Sequence, residues 1–459
     1  MIKFGTDGWR AIIGRDFTFS NLRKVAFAHS QVLLKEGKKR VIIGYDSRFM
    51  SEHFAYEVFK VMKTLGIDAY ITNKACTTPM VSFAVKYMGF DNGVMITASH
   101  NPPEYNGYKI KDSFGGSATL EFISKVENEI SEAIDIEPKN FEPQSVNVWG
   151  EYVRVVKSKI NLELLSQKQL FCIHDAMYGS SAGLFNTVLS GTKIQVLPIR
   201  SFRDPLFGNH SPEPVEKNLK ILSERVRALN ANIGIANDGD GDRLALVDER
   251  GQFVNSQLVY VLILYYLVKV KGLRDGVVVK TVSTTSLVDK ICERENIPVR
   301  EVPVGFKNVN DVVLREKVLF GGEESGGYGI IDFLPERDGL FSGIAILELL
   351  SSIEHSLSEF IEEIYTLYGR VFYKRQDMQV SDSKKELLKS LRENPPDFVN
   401  NLKTVKARTD DGLKLFFEDG SWLLARASGT EPLIRLYAEA PSLDRAESLI
   451  SWAFGIFSS

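Results

Sequence analysis

Short apolar runs alternate along this chain with stretches in which apolar residues recur at helical spacing. The run KRVIIGYDS at residues 39–47 is rich in β-branched side chains and predicts a strand. In residues 51–66, which follow it, the apolar residues on one helical face are Phe54, Val58, Val61 and Leu65. Ser51 is the predicted N-cap of this helix and Gly66 its predicted stop. Together the two segments predict one strand-helix unit.

The same alternation extends through most of the chain. Further apolar runs predict strands at residues 93–97, 170–174, 194–197, 233–236, 276–282 and 318–321. Helical stretches separate many of these runs, and such alternation is typical of α/β folds with parallel sheets. After about residue 369 the pattern changes to LKLFFEDGSWLLAR and IRLYAEA, followed by a closing helix. We therefore predict three α/β domains and one smaller α+β domain, at 1–150, 151–255, 256–368 and 369–459.

The balance of charged residues indicates which classes of partner the protein binds. The 459 residues include 56 basic and 59 acidic side chains, a formal net charge of −3. Because this balance gives no overall field that attracts nucleic acid or anionic membrane, we predict small-molecule partners, with no nucleic acid and no membrane. Cys76, Cys172 and Cys292 are too widely spaced for a disulfide framework or a zinc site.

Targeting and membrane signals are absent from the sequence pattern. The longest apolar run, residues 258–268, is shorter than the ~20 residues that a membrane span needs. The N-terminal stretch MIKFGTDGWR lacks the continuous apolar core of a signal peptide. With the unpaired cysteines, these features predict a cytoplasmic protein.

Polar motifs that directly follow apolar runs are the first candidates for a site, because ligands of open α/β sheets bind beyond the carboxyl ends of the strands. In GVMITASHNPP, Ser99 stands at a strand-to-loop turn that would expose its hydroxyl. Taken alone, a serine before His-Asn-Pro is more often a capped turn than a catalyst. The two other motifs of this kind are IGIANDGDGDR and VLFGGEESGG.

Three aspartates alternate with glycines in DGDGDR: Asp238, Asp240 and Asp242. Carboxylates this close repel one another unless a cation lies between them, and such hard oxygen ligands favour Mg²⁺. The stretch also matches the carboxylate positions of an EF-hand loop as far as Glu249, but Arg243 stands where that loop requires glycine. The strand-like flanks argue against an EF-hand as well. An acidic surface turn remains the alternative to a magnesium site.

Two further motifs suit a sugar phosphate. GEESGG at 322–327 sets carboxylates and a hydroxyl among glycines, which suits sugar hydroxyls, although a solvated turn has the same character. RASGTEP at 426–432 and the nearby Arg435 offer hydroxyls, backbone N–H groups and two guanidinium groups to a phosphate dianion. A simple β-turn is the alternative and is compatible with that role. Arg10 lies in another glycine-rich stretch, FGTDGWRA.

These motifs resemble those of the α-D-phosphohexomutases, the family of phosphoglucomutases, phosphomannomutases and phosphoglucosamine mutases. The resemblance spans nearly the whole chain and rests on five motifs in family order: FGTDGWR, TASHNPPEYNGYK, DGDGDR, GEESGG and RASGTEPLIR. It implies a four-domain α/β architecture around a central cleft, in which three α/β domains are alike. The fourth is expected to be an α+β domain that resembles the TATA-binding protein.

The resemblance also implies roles for particular residues. Ser99 matches the family's phosphoserine, and the three aspartates together with Ser99 match its metal site. Around the transferring phosphoryl group, the matching positions are Arg10, Lys109 and Arg243. Sugar contacts are expected from Glu323 and Ser325, with Lys307 as a further basic residue. The expected loop for the second phosphate comprises Arg426, Ser428, Gly429, Thr430 and Arg435.

In the cycle that the resemblance implies, phosphoserine converts a hexose monophosphate to a 1,6-bisphosphate. The intermediate turns over and returns its other phosphate to the serine. The implied cofactors are one Mg²⁺ per chain and glucose 1,6-bisphosphate as intermediate and activator. The implied partners are hexose phosphates, and the expected state is a monomer or homodimer.

The chain departs from the family pattern where other members carry histidine: Gly327 and Phe333 occupy those positions. The group that moves the proton of the sugar hydroxyl is therefore open, with Lys109 and His100 as candidates. The GEES form resembles phosphoglucomutases more than phosphoglucosamine mutases, so we expect glucose phosphate, then mannose phosphate, with glucosamine phosphate as the alternative. From other classes, a metal-dependent sugar phosphatase and a non-catalytic sugar-phosphate sensor remain open.

Overall fold

The computed structural model describes residues 2–5, 7–131, 134–428 and 432–458. Its contacts divide the chain into two compact units. The first comprises Met1–Val279 and Gly305–Glu359, and the second comprises Lys280–Val304 and Phe360–Ser459. Because this division does not follow the four predicted domains, their boundaries stay a prediction.

The first unit begins with a six-stranded sheet. Its strands are β1 (Trp9–Ile12), β2 (Arg40–Tyr45), β3 (Asp68–Thr72), β4 (Asn92–Ile96), β5 (Tyr105–Lys111) and β6 (Ser145–Val146). The order is β1-β5-β4-β2-β3-β6, with β2 parallel to β3 and β4, and β5 antiparallel to β4 and β1. The helices of this part are α1 (Phe19–Lys35), α2 (Ser51–Thr64), α3 (Thr78–Met88), α4 (Leu120–Glu129) and α5 (Val148–Lys159).

A second sheet has five strands in the order β11-β10-β9-β7-β8. They are β7 (Leu170–Asp175), β8 (Ile194–Ile199), β9 (Ile233–Asn237), β10 (Leu244–Val247) and β11 (Phe253–Val254). The helical segments of this part are α6 (Leu184–Leu189), α7 (Lys220–Leu229) and 3₁₀ turns at Leu164–Ser166, Phe207–Asn209 and Glu216–Asn218. β7 is parallel to β8 and β9, whereas β9 and β10 form an antiparallel hairpin.

The third part of the chain runs through both units. Its strands are β12 (Val277–Thr281), β13 (Val299–Val302), β14 (Val318–Gly322) and β15 (Tyr328–Ile330). Its helices are α8 (Ser256–Tyr265), continued by a π-helical turn at Tyr266–Val270, α9 (Leu287–Arg294), α10 (Phe306–Val313), α11 (Gly339–Ser352) and α12 (Leu357–Tyr368). Within the first unit, β14 pairs antiparallel with β15. α11 is apolar and buried over nearly its whole length, and the side chain of Asp338 caps its N-terminus by accepting from Phe341 N.

The second unit contains an antiparallel sheet in the order β16-β21-β20-β19-β18-β17. Its strands are β16 (Phe372–Gln379), β17 (Phe398–Val399), β18 (Leu402–Arg408), β19 (Leu413–Phe417), β20 (Trp422–Ala427) and β21 (Leu433–Ala440). The remaining helices are α13 (Asp382–Glu393) and α14 (Leu443–Ser458). The sheet and these helices share one apolar core, so the predicted C-terminal α+β architecture is present.

The predicted strands all lie on observed strands, with ends that differ by one or two residues. Two local expectations were wrong. Ser51 is not the N-cap of α2, because left-handed Met50 takes that position and Ser51 Oγ donates instead to Asp46. The sheets are mixed rather than wholly parallel, since β5 and β10 run antiparallel to their neighbours.

Among the described residues, no single helix is long and apolar enough to cross a membrane, although α11 and α12 taken together satisfy the length and composition.

Candidate active site

Ser99 lies in the loop that joins β4 to β5. Its backbone is left-handed, with φ of 53°, a conformation that a serine adopts only when its surroundings hold it there. Its Oγ donates to Asp238 Oδ2 at 2.8 Å, and the residue is only 1% exposed. The sequence led us to expect an exposed hydroxyl; the hydroxyl is buried because the aspartate loop covers it.

The aspartate loop, residues 238–243, is the turn of the β9–β10 hairpin. Its two glycines are needed for different reasons. A Cβ at residue 239 would lie 2.6 Å from the carbonyl oxygen of Ser99, and Gly241 has a φ of +72°. The loop brings one oxygen each of Asp238, Asp240 and Asp242 within 4.8 Å of one another. Three carboxylates at this spacing fit a hard divalent cation.

The pKa values of Asp238 and Asp240 are shifted in opposite directions because their neighbours differ. Burial, together with Asp242 and Asp240, holds the pKa of Asp238 well above its usual range. Burial also acts to raise the pKa of Asp240, but Lys109 lowers it below the usual range. Among the described residues, Oδ1 of Asp240 and Oδ1 of Asp242 have no hydrogen-bond partner. Buried carboxylate oxygens without partners are the free ligand positions that a cation would fill.

Lys109 lies on β5 and is almost fully buried beside these aspartates. Its Nζ is 2.8 Å from Asp240 Oδ2, 3.1 Å from Asp242 Oδ2 and 2.7 Å from Asp7 Oδ2. Burial acts to lower the pKa of Lys109, but the carboxylates raise it well above its usual value. The surrounding carboxylates therefore favour the ammonium form of Lys109.

Arg337 is a second buried cation at the same place. Its Nη2 is 2.7 Å from Asp7 Oδ2 and 2.8 Å from Asp242 Oδ2, and its Nη1 is 3.5 Å from Glu323 Oε2. The side chain of Arg337 occupies the space beside Gly327, the position where other family members carry histidine. A Cβ at residue 327 would lie 2.3 Å from Arg337 Cδ. A side chain at position 327 and Arg337 in this conformation exclude each other.

The other departure, Phe333, has a packing role. Its ring lies 4.2 Å from that of Phe341 and 6.1 Å from that of Tyr87. Its carbonyl oxygen accepts from Lys86 Nζ and Tyr87 Oη at 2.8 Å each. Position 333 thus belongs to an aromatic core in this chain.

Three residues that were predicted to act on the transferring phosphoryl group or the sugar proton, Arg10, Arg243 and His100, lie near Asp7 and the aspartate loop. Arg10 Nη1 donates to Asn101 Oδ1 at 2.7 Å, and its Nη2 lies 3.4 Å from Asp7 Oδ2. The backbone N–H of Arg243 donates to Asp238 Oδ1, and its guanidinium is 3.6 Å from Glu213. Burial, then the charges of Arg243 and Arg10, hold the pKa of His100 well below its usual range, so its imidazole is neutral.

The predicted sugar loop follows β14. Glu323 is buried, and its Oε1 accepts from Gly305 N at 2.9 Å. Burial raises the pKa of Glu323, although Arg337 opposes that rise. Ser325 is half-buried in the turn, and Lys307 is half-buried in the first turn of α10. The structure therefore links Glu323 to the aspartate loop through Arg337.

The predicted second-phosphate loop lies in the second unit. Arg426 on β20 and Arg435 on β21 stand directly opposite each other in the antiparallel register. Arg426 Nε is 2.8 Å from Asp411 Oδ1, and Arg435 Nε is 3.7 Å from Asp377 Oδ2. Ser428 is buried and its N–H donates to Leu433 O. Gly429 and Thr430 lie outside the described residues.

Sequence reasoning missed Asp7 and Arg337. Asp7 stands in the FGTDGWR motif, and Arg337 follows Phe333, one of the positions where other members carry histidine, by four residues. A charged residue within a glycine-rich motif was the available signal for Asp7. For Arg337 no local signal existed, because its partners are 330 and 95 residues away along the chain.

Comparison with known proteins decides the family. Models of the phosphoglucomutase/phosphomannomutase α/β/α domains I, II and III match residues 1–136, 150–251 and 255–368, and that of the C-terminal domain matches residues 387–451. The chain belongs to the phosphoglucomutase/phosphomannomutase family. It is thus a phosphohexomutase, an enzyme that transfers a phosphoryl group within hexose phosphates, and the predicted fold class is confirmed.

Several relatives align with this phosphohexomutase over nearly their whole length. A phosphoglucomutase/phosphomannomutase of Thermococcus kodakarensis is 31% identical over 97% of this chain and 96% of its own. A phosphoglucosamine/phosphogalactosamine mutase of Sulfurisphaera tokodaii is also 31% identical, over 98% and 97%. A crystal structure from Thermus thermophilus described as a phosphomannomutase has a TM-score of 0.89 and 32% identity, and covers 100% of this chain and 99% of that chain.

Proposed function

We propose that this phosphohexomutase carries the transferring phosphoryl group on Ser99 and interconverts hexose 1-phosphate and hexose 6-phosphate through a 1,6-bisphosphate. The observation that carries the proposal is the 2.8 Å contact of Ser99 Oγ with Asp238 Oδ2. Asp238 belongs to the one cluster of three metal-type side chains found among the described residues. A strained, buried serine against such a cluster is placed for phosphoryl transfer.

The covalent steps balance within one cycle. The bond from phosphorus to Ser99 Oγ breaks, a bond from phosphorus to the free sugar hydroxyl oxygen forms, and the hydroxyl proton passes to a base. After the bisphosphate turns over, the other phosphate returns to Ser99 Oγ, and the proton returns to the sugar oxygen that is released. Of the two candidates, Lys109 suits charge stabilisation because the carboxylates raise its pKa, which leaves the imidazole of His100 as the candidate proton acceptor.

Asp238, Asp240 and Asp242, together with an oxygen of the phosphoryl group on Ser99, would hold one Mg²⁺. The partnerless Oδ1 atoms of Asp240 and Asp242 support this fit. When bound, the ion would neutralise charge on the transferring phosphoryl group. Arg10 and Arg243 add fixed positive charge on the protein side.

The second phosphate is proposed to bind the loop at Arg426, Ser428 and Arg435, with Gly429 and Thr430. Two arginines stand directly opposite each other on neighbouring strands, and like charges in this arrangement repel. A phosphate dianion between them would satisfy both guanidinium groups. Such a pocket would retain the bisphosphate while it turns over.

For the sugar we propose glucose phosphate, and mannose phosphate next. Glu323 is a buried acceptor whose position is fixed by Gly305 N and Arg337, which suits a sugar hydroxyl, and Ser325 and Lys307 complete the proposed contacts. A glucosamine phosphate is the alternative, since the Sulfurisphaera relative named for that activity is as similar as the Thermococcus one. Turnover of glucose, mannose, glucosamine and galactose 1-phosphates by the same preparation decides among them. Glucose 1,6-bisphosphate as activator and a cytoplasmic location belong to the same proposal.

Ser99→Ala tests the proposed phosphoryl carrier. The variant should fold, because a loop hydroxyl contributes little packing, and its turnover should fall by orders of magnitude. Intact-protein mass should show a phosphorylated fraction in the wild type after incubation with glucose 1,6-bisphosphate and none in the variant. Near-normal turnover by Ser99→Ala would contradict the mechanism, and one free phosphate released per product would indicate a phosphatase.

Arg426→Ala separates a mutase from a phosphatase. Loss of one charge-assisted phosphate contact costs about 1.5–3 kcal/mol, or roughly 10- to 150-fold in affinity. The variant should bind hexose phosphate more weakly and release more bisphosphate per product, and Arg435→Ala should behave alike. Arg392→Ala is the matched control, because Arg392 lies in the same unit and its Nε and Nη2 both donate to the carbonyl oxygen of Thr409. An unchanged ratio of bisphosphate to product would remove this loop from the mechanism.

A further inference from the structure

Arg48 is a fully buried arginine that binds the backbone of the Ser99 loop. It follows β2, and its exposure is 0%. Its Nη2 donates to the carbonyl oxygens of Ser99 and Asn101 at 2.6 Å each. Its Nη1 donates to the carbonyl oxygens of Pro102 and Tyr105 at 2.8 and 3.2 Å. One guanidinium therefore binds four carbonyl groups, three in the Ser99 loop and one at the start of β5.

Asp46 and Thr97 connect the same arginine to the other side of Ser99. Asp46 Oδ1 accepts from the N–H of Arg48 at 3.0 Å, and Asp46 Oδ2 lies 3.3 Å from Arg48 Nε. Thr97 Oγ1 donates to Asp46 Oδ2 at 2.6 Å and accepts from the N–H of Ser99 at 2.8 Å. The guanidinium also lies 4.8 Å from the ring centre of Phe207. Ser99 is thus held through both its N–H and its carbonyl group.

We propose that Arg48, acting with Asp46 and Thr97, is the positioning residue of the phosphoryl carrier. The three side chains hold Ser99 in its left-handed conformation, so that Oγ faces Asp238 in every turnover. This inference rests on the proposed role of Ser99. It extends that role to residues whose hydrogen bonds reach the backbone of Ser99 and not its hydroxyl.

The guanidinium fork explains why arginine is needed. Four Nη–H bonds in one plane reach four acceptors at once, whereas the ammonium of lysine is a compact group with three donors. Because Arg48 is wholly buried, it cannot contact a sugar phosphate directly. Its loss should therefore misplace Ser99 Oγ and slow phosphoryl transfer, while substrate binding stays close to normal.

Arg48→Lys is the main test. Misplacement of a reacting atom by about 1 Å costs about 100-fold in rate, so kcat should fall by roughly that factor while KM for glucose 1-phosphate changes little. With enzyme that carries phosphate on Ser99 at the start, single-turnover loss of that phosphate to glucose 1-phosphate, followed by intact-protein mass, should slow equally. A merely structural role would lower the folded fraction and leave this rate per phosphorylated molecule unchanged, which would overturn the proposal.

Arg200→Lys is the matched control. Arg200 is also largely buried and binds Asp175 with Nε and Nη2 and the carbonyl of Asn218 with Nη2. These partners lie outside the Ser99 loop. Its substitution should lower the melting temperature and leave the single-turnover rate intact. If Arg200→Lys slowed transfer as much as Arg48→Lys, the effect would be general destabilisation and the proposal would fall.

Thr97 provides a second test that does not depend on the folding of an Arg48 variant. Thr97→Val has nearly the same shape but loses the hydroxyl between Ser99 N and Asp46, so the single-turnover rate should fall about tenfold or more. Thr97→Ser restores that hydroxyl and should recover most of the lost rate. Equal rates in Thr97→Val and the wild type would contradict the proposal.

Ser99→Ala distinguishes failure of this inference from failure of the proposed function. If Ser99→Ala stays active, the phosphoryl carrier is wrong and the inference falls with it. If Ser99→Ala is inactive while Arg48→Lys and Thr97→Val transfer phosphate at the wild-type rate, the carrier stands and only the positioning role is overturned.

Discussion

Each unit of the molecule contains a cluster of charged side chains with buried members, and the partners of the carboxylates differ between the two clusters. The aspartate cluster of the first unit comprises Asp7, Lys109, Asp238, Asp240, Asp242 and Arg337. The Glu301 cluster of the second unit comprises Lys280, Asp289, Glu301, Arg408 and Lys414. Both bury several charges at the cost of their hydration.

In the Glu301 cluster both oxygens of the central carboxylate, that of Glu301, form ion pairs. Glu301 Oε2 lies 2.8 Å from Lys414 Nζ and 3.5 Å from Lys280 Nζ, and Glu301 Oε1 lies 2.8 Å from Arg408 Nη1. Lys280 also pairs with Asp289, and Lys414 Nζ lies 4.6 Å from the ring centre of Trp422. Both oxygens of Glu301 have partners, so this cluster presents no vacant ligand position at its centre.

In the aspartate cluster, by contrast, the cations face only part of the carboxylate surface. Lys109 and Arg337 contact Oδ2 atoms, whereas Oδ1 of Asp240 and Oδ1 of Asp242 lack partners among the described residues. Burial and its two like-charged neighbours raise the pKa of Asp238. Buried charge alone therefore does not mark a functional site. The proposed functional site is distinguished by ligand atoms without partners in the same cluster as the strained Ser99.

The largest expected effect is the loss of activity in Asp238→Asn, which tests whether the aspartate cluster differs in function from the Glu301 cluster. Removal of one ligand charge should cost several kcal/mol of transition-state stabilisation, about 1,000-fold in kcat. Burial and the neighbouring aspartates disfavour ionisation of Asp238 and so raise its pKa. Replacement by neutral asparagine should therefore not lower the melting temperature in the absence of metal. Activity and melting temperature are measured with and without Mg²⁺.

Saturating Mg²⁺ should raise the melting temperature of the wild type, because an ion at about 100 times its Kd adds about 2.7 kcal/mol to the folded state. Asp238→Asn should show a much smaller rise. An equal rise in both proteins would mean that Asp238 does not hold the metal, whatever happens to activity.

The sequence predicted those parts of the aspartate site that are local. DGDGDR and TASHNPP each follow an apolar strand, and their glycines and hydroxyls are readable within a few residues. Arg48 and Arg337 were not predicted, because each is defined by acceptors that only folding brings close. The antiparallel course of β5 and β10 was missed for a related reason. Alternation of strands and helices predicts parallel sheets, but a hairpin at the sheet edge has no distinct periodicity.

The sequence did not predict the Glu301 cluster. Glu301 is separated from Arg408 by 107 residues and from Lys414 by 113. Each residue reads singly as an ordinary charged position of a strand or turn. Pairing of this kind depends on the tertiary fold, so neither residue type nor spacing could have indicated it.

A medium effect, on stability alone, is expected from Glu301→Gln. Removal of one partner from a buried ion pair leaves uncompensated charge, here on Lys414, and costs about 3 kcal/mol. Urea denaturation should show a lower midpoint with an unchanged dependence on Mg²⁺. Loss of Mg²⁺-dependent turnover per folded molecule would contradict the structural role that the comparison assigns to this cluster.

The smallest expected effect is a change of the free energy of unfolding with pH, caused by Lys414 of the Glu301 cluster. Burial, and then the charge of Lys280, lower the pKa of Lys414 to about 8, although Glu301 opposes this. In the unfolded chain a lysine titrates near 10.4, so between about pH 8 and 10.4 the unfolded state binds more protons than the folded state. The free energy of unfolding should then rise with pH by up to about 1.4 kcal/mol per pH unit in this window and be flat with respect to Lys414 below it.

Lys414→Met tests that slope, because methionine keeps an unbranched side chain against Trp422 and removes the titrating amine. The free energy of unfolding is measured by urea denaturation at about pH 8 and about pH 9.5, and the difference between the wild type and the variant isolates Lys414 from the other titrating groups. The wild type should gain stability over this interval relative to Lys414→Met. Since Glu301 keeps Arg408 and Lys280, the variant should also lose less stability at neutral pH than Glu301→Gln. Parallel pH profiles for the two proteins would show that Lys414 stays protonated in the fold, and that the ion pair with Glu301 outweighs burial in this cluster.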